Sequence, residues 1–214
     1  GHQVHVFDAM PTVGRKFLMA GKSGLNLTHA EPFELFATRF GAANTPLRAA
    51  LDAFPPEALR DWAHGLGSPT FVGSSGRVFP EAMKASPLLR AWLRRLTDGG
   101  VRFHPRHRFT GFEGSALAFD TPGGAVRIDG DGVLFATGGA SWPKLGSDGA
   151  WVSPFRDEGI AVADFQPANC GFDVDWSIPF RERFAGIPVK SVVATSNAGS
   201  SQGEFVATRH GVEG

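Results

Sequence analysis

Apolar and polar positions alternate over Gln3 to Asp8 (QVHVFD), where Val4 and Val6 flank polar His5, Phe7 follows, and an acid closes the run. That pattern predicts a short buried strand. The next stretch, AMPTVGRKFLMAGKSGLNLTH, shows no sustained helical period, so it reads as an ordered functional loop. Helical signals begin at Glu31–Pro32 with Phe33, Leu35 and Phe36, and resume at Thr45–Pro46 with Leu47, Leu51 and Phe54. They continue over Pro56 to Leu66, where Leu59, Trp62, Ala63 and Leu66 share a face that Gly67 closes. Residues 31–67 therefore read as a helical insert.

Thr70 to Pro80 carries two β-rich pieces, TFV and RVFP, around Gly73–Gly76, which predicts a hairpin. The strongest helix follows, with Ser86 as N-cap, Pro87 at the first position, Leu88, Leu89, Trp92, Leu93 and Leu96 on one face, and Gly99–Gly100 as the stop. Val101 to His104 reads as a strand. Arg108 to Asp129 reads as a β-meander broken at Glu113–Gly114 and Pro122–Gly124. The continuous apolar run Val133 to Ala136, ending at Thr137-Gly138-Gly139, predicts a strand buried on both faces. Ser147 to Gly159 reads as a capped helix. Beyond it, Ile160 to Phe165, Ile187 to Thr195 and Glu204 to Thr208 are β-rich, and helical periodicity is expected to vanish after Gln166. These elements divide into a domain over 1–165 and the start of a mostly β domain over 166–214.

Composition narrows the function. Basic and acidic residues number 21 each, which removes the cationic excess that drives nucleic-acid binding. No apolar run approaches the roughly 18 to 20 residues of a membrane-spanning helix, and mean hydropathy is −0.09. The expected partner is a small-molecule substrate, with neither nucleic acid nor membrane, and no oligomeric state is specified. Cys170 is the single cysteine of the chain, so no intramolecular disulfide forms; this fits a reducing compartment, the cytoplasm by default. Cys170 lies among small and apolar residues and reads as a structural thiol. His104 and His107 have metal-like spacing only on a helix, which Pro105 prevents, so no metal site is expected. No G-x-S-x-G elbow of a serine hydrolase occurs.

An acid at a strand tip is where dinucleotide-binding folds hydrogen-bond the adenosine ribose, and Asp8 fits that position. The glycine-rich phosphate turn of such folds lies about 20 residues before the acid, whereas seven residues precede Asp8 here. Either the fold is another one, or the chain lacks the first strand, phosphate loop and helix. Glycines 14, 21 and 24 would permit close backbone approach to a ring or phosphate, and Arg15 and Lys16 could neutralise a pyrophosphate. A solvated surface loop explains the same residues. Asn26, Thr28 and His29 offer donors and acceptors to a ring edge, and Thr137, Gly138 and Gly139 mark a strand exit where ligands gather. Arg77 and Lys84, beside Phe79 and Pro80, could hold an anion or serve as surface ion-pair partners.

Three blocks, GRKFLMAGKSGLNLTH (14–29), GRVFPEAMKAS (76–86) and ATGGASWPKLGSDG (136–149), resemble the BaiN-like bacterial NAD(P)/FAD-dependent oxidoreductases, and occur in that family's order. The terminal GEFVATRHGVEG (203–214) resembles the block by which the family re-enters its nucleotide-binding domain. The resemblance implies an α/β, Rossmann-like FAD-binding domain with helical insert and β-meander, followed by an inserted β-rich domain. It also implies FAD as cofactor, NAD(P)H as an electron donor, and cofactor contacts from Asp8, Gly14, Arg15, Lys16, Gly21, Gly24, Asn26, Thr28, Thr137, Gly138 and Gly139. Many members carry Gly-Gly-Arg-Cys-Asn where this chain has Lys22, Ser23, Gly24, Leu25 and Asn26, so a thiol role there is excluded. No catalytic acid or base is assigned, since a flavin would carry the chemistry. The competing expectation is a non-catalytic dinucleotide-binding fragment.

Overall fold

The computed structural model describes residues 1–20, 24–166, 170–197 and 199–213, and divides into two compact units, Gly1–Val162 and Ala163–Gly214. The first opens on β1 (His5–Asp8). There follow α1 (Arg15–Ala20), β2 (Thr28–His29), α2 (Phe33–Phe36), α3 (Asn44–Ala53), α4 (Pro56–Gly65), β3 (Thr70–Val72), β4 (Arg77–Pro80) and α5 (Ala85–Asp98). Only then does β5 (Arg102–Pro105) lie parallel to β1, pairing His5 with Arg102 and Asp8 with Pro105. Parallel strands require a long crossover, and α5 is its last limb.

The core forms where α5 meets the segments it crosses. Ala85 and Leu88 bury themselves against Leu25 and Ala63, with Phe17, Leu27, Trp62 and Leu66 around them. Trp62 and Trp92 meet edge to face at 5.2 Å. The helix starts one residue before the expected cap: Lys84 occupies the N-cap, no side chain caps it, and Ser86 and Pro87 are already helical. Pro87 is tolerated because the first turn leaves its N–H groups without helical partners anyway. At the far end the Gly99 N–H donates to the Arg95 carbonyl and the Gly100 N–H to that of Thr97, where the sequence placed the stop.

The expected loop over 9–29 contains α1 and β2. Six residues are too few to display a helical period, and α1 is held by packing, with Phe17 against Trp92 at 6.4 Å. Strand β2 pairs antiparallel with β4 and β4 with β3, the predicted hairpin turning at Gly73–Gly76. In the helical insert, Arg48 bridges Glu34 of α2 and Asp52 of its own helix.

The meander forms as β6 (Arg108–Glu113), β7 (Ala116–Thr121) and β8 (Gly124–Ile128), with a bulge between Phe109 and Gly111. Val133 to Ala136 is not a strand. Leu134 is 92% exposed, and Phe135 alone turns inward, onto Phe109 at 5.2 Å and Phe155 at 4.8 Å. A strand exists only as a hydrogen-bonded pair, and among the described residues no neighbour pairs with this run. The helix expected from Ser147 is shortened to α6 (Val152–Asp157), because Ser147 and Asp148 spend their side chains elsewhere: Ser147 Oγ donates to the Gly139 carbonyl and Asp148 Oδ1 accepts from the Ala150 N–H. Ile160 to Phe165 forms no strand.

The second unit carries β9 (Phe172–Asp173), α7 (Ile178–Phe184), β10 (Pro188–Ser196), β11 (Gly199–Ala207) and β12 (Gly211–Glu213), in the antiparallel order β10-β11-β12-β9. Helix α7 contradicts the expectation that helices end before Gln166. It spans only seven residues, held by an i, i+4 ladder of Trp176, Phe180 and Phe184 at 4.5 and 4.8 Å. In the 203–213 block Val206 pairs with Glu213 and Ala207 with Val212, and Gly214 lies outside the described residues. Cys170 is exposed, not packed as a structural thiol.

Leu88 is fully buried at the centre of the first unit's core. Leu88→Ala is expected to lower stability by about 3 kcal/mol, read from the midpoint of urea unfolding.

Candidate functional site

The ladder between β1 and β5 does not stop at the strand ends. Beyond Pro105 the chain enters the left-handed region at Arg106 (φ 59°), which turns two successive N–H groups toward the β1 exit. Arg106 N–H donates to the Met10 carbonyl and His107 N–H to the Asp8 carbonyl, both at 3.0 Å. Asp8 Oδ1 accepts from the Met10 N–H at 2.8 Å. Its Oδ2 has no protein partner among the described residues.

A cleft of about 320 Å³ opens at this point, within the first unit. One wall is aromatic: Phe7 lies 4.9 Å from Phe119 and 5.6 Å from His107. Arg15 and Lys16 from the start of α1, and Thr137 and Gly138 from the later turn, also line the cleft. Lys16 Nζ donates to Ser141 Oγ at 2.9 Å and Ser147 Oγ at 3.4 Å, tying α1 to that turn, while Trp151 Nε1 donates to the Gly138 carbonyl at 3.0 Å. Arg15 Nε is buried and accepted by no group among the described residues.

Of the residues expected to bind a cofactor, Asp8, Gly14, Arg15, Lys16, Thr137 and Gly138 line this cleft. Gly139 stands beside it, its carbonyl held by Ser147. Gly24, Asn26 and Thr28 do not line it: Gly24 abuts Met83 and Phe79, Asn26 is exposed next to the core residue Leu25, and Thr28 pairs with Val78. Gly21 lies outside the described residues, as do Lys22 and Ser23. His29 is occupied by the hairpin, its Nε2 donating to the Ser75 carbonyl at 3.1 Å and its Nδ1 accepting from the Glu31 N–H. Sequence reasoning missed His107, Arg108 and Phe119 as cleft residues. The available signal was position: His107 follows a strand whose end is level with Asp8.

A family model described as the HI0933-like protein Rossmann domain matches residues 1–213. The chain belongs to this family. It is also 26% identical to the 3-dehydro-bile acid delta(4,6)-reductase of Clostridium scindens, over 99% of the chain and 52% of that protein. The chain thus spans about half the length of the curated relative it matches. The α/β fold agrees with the Rossmann assignment, and the family with the resemblance carried by the three sequence blocks. Among the described residues no helix is long and apolar enough to cross a membrane.

Within this Rossmann-family cleft the glycines have different jobs. Gly14 (φ 73°) lies against the core: its left-handed backbone favours glycine, and a Cβ there would stand 2.9 Å from Leu89 Cδ2 of α5, so that side chain would have to move. Gly138 (φ 75°) faces open space, where a Cβ would meet only Ser147 Oγ at 3.7 Å. A side chain would fit there, and the Gly138 carbonyl is already taken by Trp151 Nε1. Charge is locally balanced at the rim: Arg108 binds Asp148 at 3.0 Å. Burial pushes the Asp148 carboxyl up, but the Ala150 N–H and the Arg108 guanidinium outweigh it and hold the group below its usual range.

Behind the aromatic wall His104 stacks on Phe7 at 4.6 Å and bonds to His5 at 2.9 Å. Burial, then the neighbouring His5, His107 and Arg102, lower its pKa. The unfolded chain therefore binds this proton at higher pH than the folded one. The contribution is fully present above the unfolded value of about 6.5 and is lost as pH falls through the folded value. Urea unfolding across that acidic window is expected to show stability rising with pH, and His104→Phe, which keeps the stack, should flatten the slope.

Proposed function

We propose that the cleft holds the adenosine-diphosphate end of FAD, and that the chain is the nucleotide-binding part of an oxidoreductase moving hydride or electrons between NAD(P)H, or another donor, and a small-molecule substrate. The observation that carries this reading is the convergence on one cleft of Asp8, whose Oδ2 has no protein partner among the described residues, of Arg15, whose buried Nε has none either, and of Gly138. A buried donor without a partner is costly, so an anion that accepts from it is favoured. Arg15 and Lys16 would face the pyrophosphate, Asp8 would accept from a ribose hydroxyl, and Thr137 and Gly138 would offer backbone N–H groups from the turn that follows the 133–136 run. Bound FAD would supply a reversible hydride acceptor. The matched relative is named a reductase, which supports the reaction class. A lone, exposed cysteine fits a reducing, cytoplasmic setting.

Titrating the chain with FAD and following visible absorbance and flavin fluorescence tests the proposal. Saturable binding is expected, with Asp8→Ala and Arg15→Met each raising Kd about tenfold, the value of one charge-assisted hydrogen bond. A chain that takes up no flavin overturns it. Uptake of FAD without any reduction by NADH or NADPH would favour a binding module over an enzyme.

A further inference from the structure

His107 carries a consequence beyond Asp8. Its Nδ1 lies 2.9 Å from the Pro105 carbonyl. A carbonyl oxygen only accepts, so Nδ1 must carry the proton, and in the neutral ring Nε2 is then an acceptor. No group among the described residues reaches hydrogen-bond distance of that Nε2. The ring is held in place by Phe7 at 5.6 Å, His104 at 5.5 Å and Phe119 at 6.3 Å. Its backbone is held too, through the 3.0 Å bond from His107 N–H to the Asp8 carbonyl. Two fixed acceptors, a carboxylate oxygen and an imidazole nitrogen, thus belong to residues joined backbone to backbone, and both residues line one cleft.

A pair of acceptors without a donor calls for a ligand with two adjacent donors. We propose that His107 is a specificity-determining residue that accepts a hydrogen bond from one hydroxyl of the adenosine ribose while Asp8 accepts from the other, so that the cleft selects an unmodified vicinal diol. Arg108, the cation next to His107 in this cleft, is engaged by Asp148 at 3.0 Å. This inference rests on the nucleotide reading of the cleft.

The test measures binding of ADP, 2′-deoxy-ADP and 3′-deoxy-ADP to the full chain by calorimetry. The wild type is expected to prefer ADP by about three- to tenfold over the analogue lacking the hydroxyl that His107 accepts from, the worth of one neutral hydrogen bond, and by about tenfold or more over the one lacking the hydroxyl that Asp8 accepts from, a charge-assisted bond. His107→Phe keeps the aromatic wall and should lose the preference over one analogue while retaining it over the other. His107→Asn keeps a donor toward Pro105 but lacks the Nε2 acceptor, and should behave the same; it decides the matter if the Phe variant does not fold by circular dichroism. If both folded variants discriminate as the wild type does, the role of His107 is overturned and the nucleotide reading stands. If no adenine nucleotide binds the wild type, both fall.

Discussion

The parallel ladder between β1 and β5 sets two strand ends, far apart in sequence, at one level, and ligands of open α/β sheets gather at the carboxyl ends of strands. What distinguishes this chain is that the ladder continues into the loops. The left-handed backbone at Arg106 delivers two further N–H groups to the residues around Asp8, so the carboxylate and the following histidine are held by backbone bonds and not by side-chain chance. A non-glycine residue in that conformation costs of the order of 1 kcal/mol, which the two hydrogen bonds offset.

Much of this was legible in the amino-acid pattern, and the failures have physical causes. The apolar face around Leu88 and the glycine turns of the hairpin and meander depend on short-range chemistry and form where they were read; the alternation at QVHVFD gives a strand only from His5, half-buried rather than buried, with Val4 exposed. Helices α1 and α7 escaped because six or seven residues cannot show a period; tertiary contacts of Phe17 in one and an aromatic ladder in the other hold them. The run at 133–136 was misread for the opposite reason: its apolarity describes what it would pair with, not whether a partner lies beside it. Ser86 and Ser147 were both taken for caps, yet one lies inside its helix and the other bonds to Gly139.

At the cleft, residue type was more readable than residue job. Gly14 and Gly138 look alike in sequence and have nearly the same φ, but a Cβ on the first would crowd Leu89, whereas the second has room for one and holds Trp151 through its carbonyl. The loop block at 14–29 was expected to act as one surface, whereas its first residues line the cleft and Leu25 enters the core. Histidines illustrate the same point. His29 has both ring nitrogens occupied by backbone groups, and His107, considered in sequence only as a metal ligand, lines the aromatic wall beside Asp8.

The crossover joining β1 to β5 has a consequence for biosynthesis. The first strand emerges from the ribosome about a hundred residues ahead of its partner, which at roughly 5 to 20 residues per second means a wait of seconds. Through that interval Val6 and Phe7 cannot make their pairing with β5, and the loop-closure entropy of so distant a pairing delays it further. Chaperone capture of the nascent β1 segment is a natural guard for a pairing deferred so long after synthesis.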